Sequence, residues 1–440
     1  MRLFGLIAVL AVTATIAAAS GRTQLASGQA APPDVAVTHW SSIAAAPLTA
    51  LPAAPAILGM AMVHGAIYDA VNAIDGGHQP YLPQPPASPA ASLAAAVAAA
   101  GYNVLLGLPA TIPPLTLPAS LASDYAAALA LVPDGAAKTD GIAAGEAAAA
   151  AMLAARASDG RYGPFRFTAG TSVGQWRPEP STQVGDPNAW LKDVTPFAIG
   201  DPARYGTLGP DDLTSKKYAE DFNEVKALGR KVDSSRTTAQ TELANFWAVN
   251  PPRLWSGIMR TLATQQALST VDSARYYALS FMAASDTLIS VWTDKARWSS
   301  WRPVTAIREA ENDGNPATTL DLDWQPFLAT PPYPDQPSGH TSLATAITMT
   351  AQRFFNTDKI AFDATNQMLY APGTTTPTTL TSTRTFTSLS QARDEVVEAR
   401  ILQGIHFRRA DEGGVAIGKD VTSFVDSHLF KTVGDEAGSD

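Results

Sequence analysis

Apolar residues along most of the chain recur at spacings of three and four, which is the period of an amphipathic helix. In 55–74 the spacing holds until Gly76 and Gly77, which predict the end of a helix. Alanine-rich stretches continue the pattern, because alanine has the highest helix propensity. We predict further helices at 90–107, 120–131, 140–157, 214–229, 235–247, 256–300 and 389–403.

The same pattern decides the fold class. No stretch alternates apolar and polar residues in a sustained way, so a mainly α protein built as a helical bundle is expected. Asp272-Ser273 predicts a break that divides 256–300 into two helices. Residues 160–213, rich in Gly, Pro and aromatics, are predicted to form long ordered loops of the kind that cover active sites. The Thr/Pro-rich segment 371–388 is also predicted as a loop.

The N-terminus has the plan of a cleaved signal peptide. Arg2 precedes an apolar run that ends at Ala19, and small residues follow. A membrane anchor is the alternative, but the run is slightly short for a span. We therefore expect an exported protein, periplasmic or secreted, without stable membrane insertion. The predicted organisation is a signal peptide at 1–20, a linker and N-terminal extension at 21–54, an N-terminal helical region with long loops at 55–260, a catalytic helical region at 261–432 and a tail at 433–440.

Composition narrows the classes of function. Net charge is −9 and basic residues are scattered rather than clustered, so nucleic acid is excluded as a partner. The chain has no cysteine, which excludes thiolate metal sites and a cysteine nucleophile. Hydrophobic residues make up 46% of the chain, which suits a compact globular core.

A first candidate motif places two basic side chains seven residues apart. Lys295 and Arg302 would project from nearly one face if they shared a helix, roughly 10 Å apart along its axis. Pro303 would then stop or kink that helix. Such a pair can converge on one anion, although basic pairs at this spacing more often solvate a helix face.

A second candidate motif is Pro337-Ser338-Gly339-His340, followed by a helical run. Ser338 is a suitable N-cap residue, and the free N–H groups of the first turn attract anions. Gly339 allows its backbone to approach a ligand closely, and His340 exchanges a proton near neutral pH. A capped helix with an exposed histidine is the plainer interpretation of this tetrapeptide.

A third candidate motif runs from Arg400 to His406. Arg400 lies near the end of a predicted helix, and Gly404 loosens the backbone so that His406 turns toward the same space. A histidine between Ile405 and Phe407 is, taken alone, more often a core or surface residue.

Together the three motifs change the interpretation. The pattern K-x6-R-P, P-S-G-H and R-x5-H resembles the vanadium-dependent haloperoxidases and the related acid phosphatases of the type 2 phosphatidic acid phosphatase superfamily, and is similar to their bacterial haloperoxidase-like branch. The close resemblance covers about 285–410. It implies a helical-bundle fold and a pocket for vanadate, for which phosphate would compete.

The resemblance also implies roles for the residues of the pocket. His406 would bond vanadium through a ring nitrogen, while Lys295, Arg302, Arg400, Ser338 and Gly339 would hold the equatorial oxygens. His340 would be the acid–base catalyst, and Lys295 would polarise bound peroxide. The partners would be hydrogen peroxide and a halide, bromide or chloride, and the product a hypohalous species.

Two aromatic residues are candidates for the halide site. Trp292 matches the tryptophan of the chlorinating type in that family, whereas Tyr333 stands where that type has phenylalanine and the brominating type has histidine. This departure leaves the halide preference open, and both aromatics also suit core packing. The acidic residue that usually supports the pocket arginine is not found, and Asn250 is placed in its neighbourhood.

Other functions remain open at this point. In an acid phosphatase acting on small phosphomonoesters, His406 would be the nucleophile and His340 would protonate the leaving group. A non-catalytic periplasmic oxyanion-binding protein is a third reading, and a homodimer is an open possibility for the assembly. His64 is assigned to the core or to the surroundings of the site rather than to a ligand set.

Overall fold

The fold is taken from a computed structural model that describes residues 34–108, 115–180, 184–367 and 381–434. The predicted signal peptide, residues 21–33 of the linker and N-terminal extension, residues 368–380 and the last six residues of the tail lie outside the described residues. Within the described residues helices dominate, which confirms the prediction of a mainly α fold.

Thirteen α-helices are found in this part of the chain. In order they are α1 Ala36–Leu48, α2 Ala53–Asp75, α3 Leu93–Gly107, α4 Leu121–Ala130, α5 Ala136–Ala155, α6 Lys216–Leu228, α7 Thr238–Phe246, α8 Pro251–Gln265, α9 Thr270–Trp298, α10 Pro303–Arg308, α11 Gly339–Phe354, α12 Leu389–Leu402 and α13 Arg408–His428. All the helices predicted from the apolar spacing are present, with shifted ends.

Helix α9 lies at the centre of the bundle, and α2, α11 and α13 pack against it. The predicted division of 256–300 into two helices is confirmed, but the break lies at 266–269 rather than at Asp272-Ser273, which α9 contains. The chain instead leaves α8 after Gln265 and enters α9 at Ser269, whose hydroxyl accepts a hydrogen bond from the backbone N–H of Asp272 at 3.1 Å. Asp272 therefore belongs to an N-cap rather than to an interruption.

Helix α2 is apolar over nearly its whole circumference and packs on α3, α5 and α9. By length and composition it is the one described helix that could cross a membrane, yet 94% of its most apolar window is buried inside the protein. Gly76 ends it with a φ of 69°, as its sequence position predicts.

The N-terminal extension contains a helix that the sequence pattern did not predict. Val37, Trp40 and Leu48 of α1 are buried, and the Asp34 carboxylate accepts the backbone N–H of Val37 at 3.0 Å. Pro47 in the last turn disguised the pattern, because proline is normally a sign that a helix has ended.

A short antiparallel hairpin corrects the prediction that no strand is present. Strand β1 (Phe362–Gln367) pairs with β2 (Thr381–Phe386), so part of the predicted loop 371–388 is extended. The rings of Phe362 and Phe386 face each other across the pair, with centroids 5.2 Å apart. Polar residues fill most of β2, so the apolar alternation that identifies a strand is missing, although its threonines favour extended backbone.

The loop region 160–213 has little regular structure but is fastened to α9. The Asp286 carboxylate accepts backbone N–H groups from three consecutive residues, Phe197, Ala198 and Ile199, at 2.6, 2.7 and 3.0 Å. Asp294 accepts both the N–H and the hydroxyl of Thr207, at 2.8 and 2.6 Å. Carboxylates from the central helix thus stabilise a segment that cannot satisfy its own backbone groups.

Candidate active site

The three sequence motifs meet in one buried pocket. Lys295 lies in the last turn of α9, and Arg302 is the residue before α10. Arg400 lies in the last turn of α12, and His406 follows in the turn before α13. A cavity of about 320 Å³, called here the front cavity, is lined by Trp292, Tyr333, Gly339, His340, Arg400 and His406 together with apolar residues.

The path from Lys295 to Arg302 differs from the prediction of a single helix. Helix α9 ends at Trp298, and Ser299 turns the chain with a left-handed φ of 42°. Arg302 is extended, because the ring of Pro303 excludes helical geometry at the preceding residue. Pro303 therefore begins α10 instead of ending α9, and the two basic residues converge across a turn.

Arg302 and Arg400 are buried and only partly paired. Arg302 donates from Nε to the Tyr333 carbonyl at 2.8 Å and from Nη1 to the Ile405 carbonyl at 2.6 Å. Arg400 donates from Nη1 to Gln403 Oε1 at 2.5 Å. In the described part of the chain, Nη2 of Arg302 and Nε of Arg400 have no hydrogen-bond partner. Unpaired guanidinium donors in a closed pocket fit an oxyanion, since burying them without a partner is costly.

Lys295 is held by backbone oxygens. Its Nζ donates to the carbonyls of Pro334 and Asp335 at 2.6 and 2.9 Å and lies 5.0 Å from the ring centroid of Tyr333. Burial, and then the nearby Arg302, lower the pKa of the Lys295 amine well below its usual range. A bound anion would counter both effects and restore the charged form.

Helix α11 begins at the pocket. Ser338 is its N-cap residue, as predicted, but its side chain makes no capping hydrogen bond and lies against the Asp411 carboxyl. A Cβ atom on Gly339 would come within 2.9 Å of Cζ3 of Trp292. The glycine thus lets the helix N-terminus pack against the indole and face the cavity.

His406 is oriented by a carboxylate that the sequence analysis did not identify. Its Nδ1 lies 2.7 Å from Oδ1 of Asp335, and its Nε2 lies 3.1 Å from Nη1 of Arg302. Burial and the adjacent Arg302 lower the pKa of His406 well below its usual value. Burial raises the pKa of Asp335 to about 7, against the opposing effect of Arg302.

His340 reaches the same cavity from the first turn of α11. Burial, and then the neighbouring Arg400, lower the pKa of His340 well below its usual value. The imidazole is therefore neutral at neutral pH, which leaves one ring nitrogen free to accept a proton.

The two aromatic candidates lie side by side, with ring centroids of Trp292 and Tyr333 5.3 Å apart. Trp292 donates its indole N–H to Asp186 Oδ2 at 3.1 Å, so this donor is already engaged. Cζ of Arg302 lies 4.9 Å from the Tyr333 ring centroid. Burial raises the pKa of the Tyr333 hydroxyl, although Arg302 and Arg400 act in the opposite direction.

The expectation about Asn250 is wrong. Its side chain turns away and donates to the backbone carbonyls of Thr49 and Leu51 at 2.8 and 2.7 Å. Asp335 supplies the carboxylate beside Arg302 instead. Its place in the proline-rich approach to the second motif was a usable signal, whereas nothing in the sequence connects Asp186 to Trp292.

A second cavity lies behind the pocket and is called here the rear cavity. Its volume is about 440 Å³, and its lining carries carboxyl groups from Asp211, Asp212, Asp221, Asp313 and Asp335 beside one arginine, Arg409. The acids are largely engaged: Asp221 accepts from Lys217 at 3.1 Å and from the backbone N–H of Arg409 at 2.7 Å. Asp335 lines this rear space while its carboxylate bonds His406, which lines the front cavity.

His64 takes no part in the site. It is fully buried between the rings of Tyr277 and Phe281, whose centroids lie 4.8 and 5.1 Å away. Burial lowers the pKa of His64 to about 3, so it packs as a neutral ring in the core.

Known proteins resemble this chain in part of its sequence and in its fold. The family model for the second helical-bundle domain of VCPO matches residues 275–435. Vanadium chloroperoxidase from Curvularia inaequalis is 27% identical over 150 residues, which cover 28% of this chain and 24% of that protein. The match therefore spans about a quarter of the length of this curated relative.

Two solved structures are similar over nearly their whole length. The first bacterial vanadium-dependent iodoperoxidase superimposes with a TM-score of 0.71 at 20% identity, covering 92% of this chain and 98% of its own. A holo-type bacterial vanadium-dependent chloroperoxidase superimposes with a TM-score of 0.70 at 16% identity, covering 91% and 98%. At this identity the superpositions establish the shared fold, and the family-model match covers residues 275–435, the part of the chain that contains the three motifs.

Proposed function

We propose that the chain is a vanadate-dependent haloperoxidase that oxidises a halide with hydrogen peroxide, on the basis of its similarity to vanadium haloperoxidases in its second half and in its fold. The observation that carries the proposal is the set of unpaired, buried guanidinium donors on Arg302 and Arg400, grouped around His406. Such donors stabilise an oxyanion strongly because they are fixed before it arrives.

The donors of the pocket suit an oxyanion. Lys295, Arg302, Arg400, the Ser338 hydroxyl and the Gly339 N–H would hold the oxygens of vanadate, and Nε2 of His406 would meet the vanadium. Bound vanadate supplies a Lewis-acidic centre that activates hydrogen peroxide toward a halide. The protein contributes the shape, the charge and the exclusion of water.

His340 would transfer a proton to and from the reacting oxygens. As a neutral imidazole it would accept a proton from hydrogen peroxide, and as an imidazolium it would give that proton back to an oxygen that leaves as water. Burial, and then the neighbouring Arg400, lower the pKa of His340 and so favour release of the proton. Lys295 would add positive charge beside the bound oxyanion.

For the halide we propose bromide in preference to chloride. The mouth of the front cavity is apolar, and bromide loses less hydration energy than chloride on entering it. The residues that give it this character include Ala53, Val249, Pro251, Leu288, Leu328 and Leu343. Trp292 offers its ring rather than its N–H, since Asp186 holds that donor.

A second candidate, an acid phosphatase for small phosphomonoesters, is supported by one observation. The Asp335 carboxylate on Nδ1 of His406 makes Nε2 a better nucleophile, as a phosphohistidine mechanism requires. The same pocket would then hold the transferred phosphoryl group.

A single purified sample tests both candidates. Bromination of a phenol dye is followed with vanadate and peroxide, with chloride and iodide in parallel, and hydrolysis of p-nitrophenyl phosphate is followed without vanadate. We expect vanadate-dependent halogenation that phosphate inhibits. Phosphate ester hydrolysis without any halogenation would favour the phosphatase instead, and vanadate binding with neither activity would favour a binding protein.

We also propose that the protein is exported, on the basis of the signal-like residues 1–20. N-terminal sequencing of the protein from a periplasmic or culture fraction tests this. Retention of the full N-terminus in the cytosolic fraction would contradict it.

A further inference from the structure

We propose that Asp335 positions His406 by accepting its Nδ1–H, so that the unprotonated Nε2 faces the bound oxyanion. The proposal rests on the proposed function in one respect, since it takes His406 as the residue that meets the oxyanion. Asp335 does not touch that oxyanion and is therefore a positioning residue.

The contact between the two side chains is short and shielded. Oδ1 of Asp335 lies 2.7 Å from Nδ1 of His406, and both side chains are at least 96% buried. The next cation is farther away, with Nη1 of Arg302 3.5 Å from the same oxygen. His406 is thus the principal partner of the carboxylate, and a ring nitrogen that donates at Nδ1 must leave Nε2 as the acceptor.

Asp335 is itself fixed on several sides. Its backbone N–H donates to the Ser300 carbonyl at 3.0 Å, and its carbonyl accepts from Lys295 Nζ at 2.9 Å. Its Oδ2 accepts the backbone N–H of Phe407 at 3.4 Å. One residue therefore joins the loop before α11, the end of α9 and the turn that carries His406. This is the arrangement that holds a ligand histidine in one orientation.

A purely electrostatic role makes the opposite prediction. If Asp335 only balanced Lys295 and Arg302, its negative charge would oppose an incoming anion. Removing that charge would then tighten vanadate binding in every variant. If Asp335 sets the orientation and tautomer of His406, removing the acceptor weakens binding despite the gain in positive charge.

Two substitutions separate these roles. Asp335→Ala removes the acceptor, and we expect it to weaken vanadate binding about 10- to 100-fold, as is common for partners of ligand histidines. Asp335→Asn keeps an oxygen at the same place without the charge, and we expect it to recover most of that loss. Affinity is measured by titration calorimetry with vanadate alone, without peroxide or halide.

The tautomer of His406 is read independently of binding. In ¹⁵N-histidine-labelled protein, the long-range ¹H–¹⁵N spectrum distinguishes Nδ1–H from Nε2–H rings, and His406→Gln identifies the resonances. We expect Nδ1–H in the wild type and in Asp335→Asn, and its loss in Asp335→Ala. Asp211→Asn is the matched control, since this acid lines the rear cavity and does not contact His406.

Each result has one meaning. Circular dichroism and the thermal midpoint establish that the variants are folded. An Nε2–H tautomer in the wild type, or unchanged or tighter vanadate binding in folded Asp335→Ala, would overturn the inference. Absence of vanadate and phosphate binding by the wild type would instead contradict the proposed function, while the tautomer would still test the role of Asp335.

Discussion

The front and rear cavities both border the segment that leads into α11, and the charged residues that line them are mostly of opposite sign. The front cavity contains Arg400, His340 and His406 within an otherwise apolar wall, with Lys295 and Arg302 buried beside it. The rear cavity is lined by carboxyl groups that already have partners within the protein, such as Asp221 with Lys217 and Arg409. In the front, by contrast, guanidinium donors remain unpaired.

The contrast shows how a fold keeps an anion site strong. A carboxylate placed next to the unpaired arginines would satisfy them and compete with the ligand. Several of the acids line the rear cavity, where Asp221 binds the backbone N–H of Arg409 at the start of α13. Three others lie beside residues of the front. Asp186 accepts the indole N–H of Trp292, Asp335 is closer to His406 than to Arg302, and Asp411 lies against Ser338.

The largest effect is expected for a substitution in the front cavity. His406→Ala should abolish vanadate and phosphate binding, because no other described side chain replaces Nε2. Calorimetric titration with each anion measures this. His39→Ala, a change of an exposed histidine on α1, is the control and should bind normally. Retained vanadate binding by His406→Ala would show that the assignment of the ligand is wrong.

A smaller effect is expected where α11 meets Trp292. Gly339→Ala places a Cβ 2.9 Å from the Trp292 indole, so one of the two must shift. Asp186 and Tyr333 hold the indole, so the shift disturbs the start of α11 as well. We expect vanadate affinity to fall about tenfold, within the range known for small misplacements in a site. Trp292→Leu in the same chain should restore part of the affinity. Gly257→Ala on α8, where the nearest atom is 3.9 Å away, is the matched control.

Asp335, which lines the rear cavity and contacts His406 of the front cavity, is tested by the pH dependence of stability. The pKa of Asp335 is raised from 3.8 to about 7 in the folded protein, so the folded state binds this proton more tightly than the unfolded state. The stabilisation that this proton provides is fully present below the pKa of Asp335 in the unfolded state. It is lost as pH rises through the pKa of Asp335 in the folded state. Asp335→Asn should therefore become more stable relative to the wild type as pH rises from about 4 to about 8.

Urea denaturation of both proteins at several pH values measures this difference in the free energy of unfolding. Asp211→Asn serves again as the control for a rear acid outside the His406 contact. A difference between Asp335→Asn and the wild type that does not change with pH would mean that the Asp335 carboxyl titrates normally.

The smallest effect on the oxyanion site is expected from the rear cavity. Asp221→Asn weakens the bonds to Lys217 and to the backbone of Arg409, so we expect a loss of about 1–3 kcal/mol in unfolding free energy. Vanadate affinity should change by less than about twofold, since no contact reaches the front. Asp212→Asn, an exposed acid of the same wall, should change neither quantity. A large change in vanadate affinity would show that the cavities are coupled.

The spacing of Lys295, Arg302, His340, Arg400 and His406 predicts that they act together. In the structure His340, Arg400 and His406 line the front cavity, and Lys295 and Arg302 are buried beside it. The apolar spacing predicted α2 to α9 and α12, because burial of one face is what holds most helices. It did not predict α1, α10 or α13.

The remaining features depend on tertiary contacts that leave a weak local signal. The left-handed turn at Ser299 lacks the glycine that normally marks one. Lys295 and Arg302 were therefore predicted on one helix, whereas the turn separates them. Asp335 was overlooked because its partner His406 is far along the chain, and a carboxylate beside prolines reads as part of a turn. The polar strand β2 pairs through its backbone, which an apolar pattern cannot reveal.

The attachment of the loop region 160–213 to α9 has a consequence for engineering. Asp286 and Asp294 hold its second half, and Asp186 joins it to Trp292. Residues 174–176 are anchored as well, because Trp176 donates its backbone N–H to the Ser299 carbonyl at 2.7 Å and Trp301 donates its own to the Gly174 carbonyl at 2.9 Å. An insertion at the exposed residues 171–173 would therefore pull on the turn that leads to Arg302. New parts are better attached elsewhere, since this irregular segment supports the pocket from two sides.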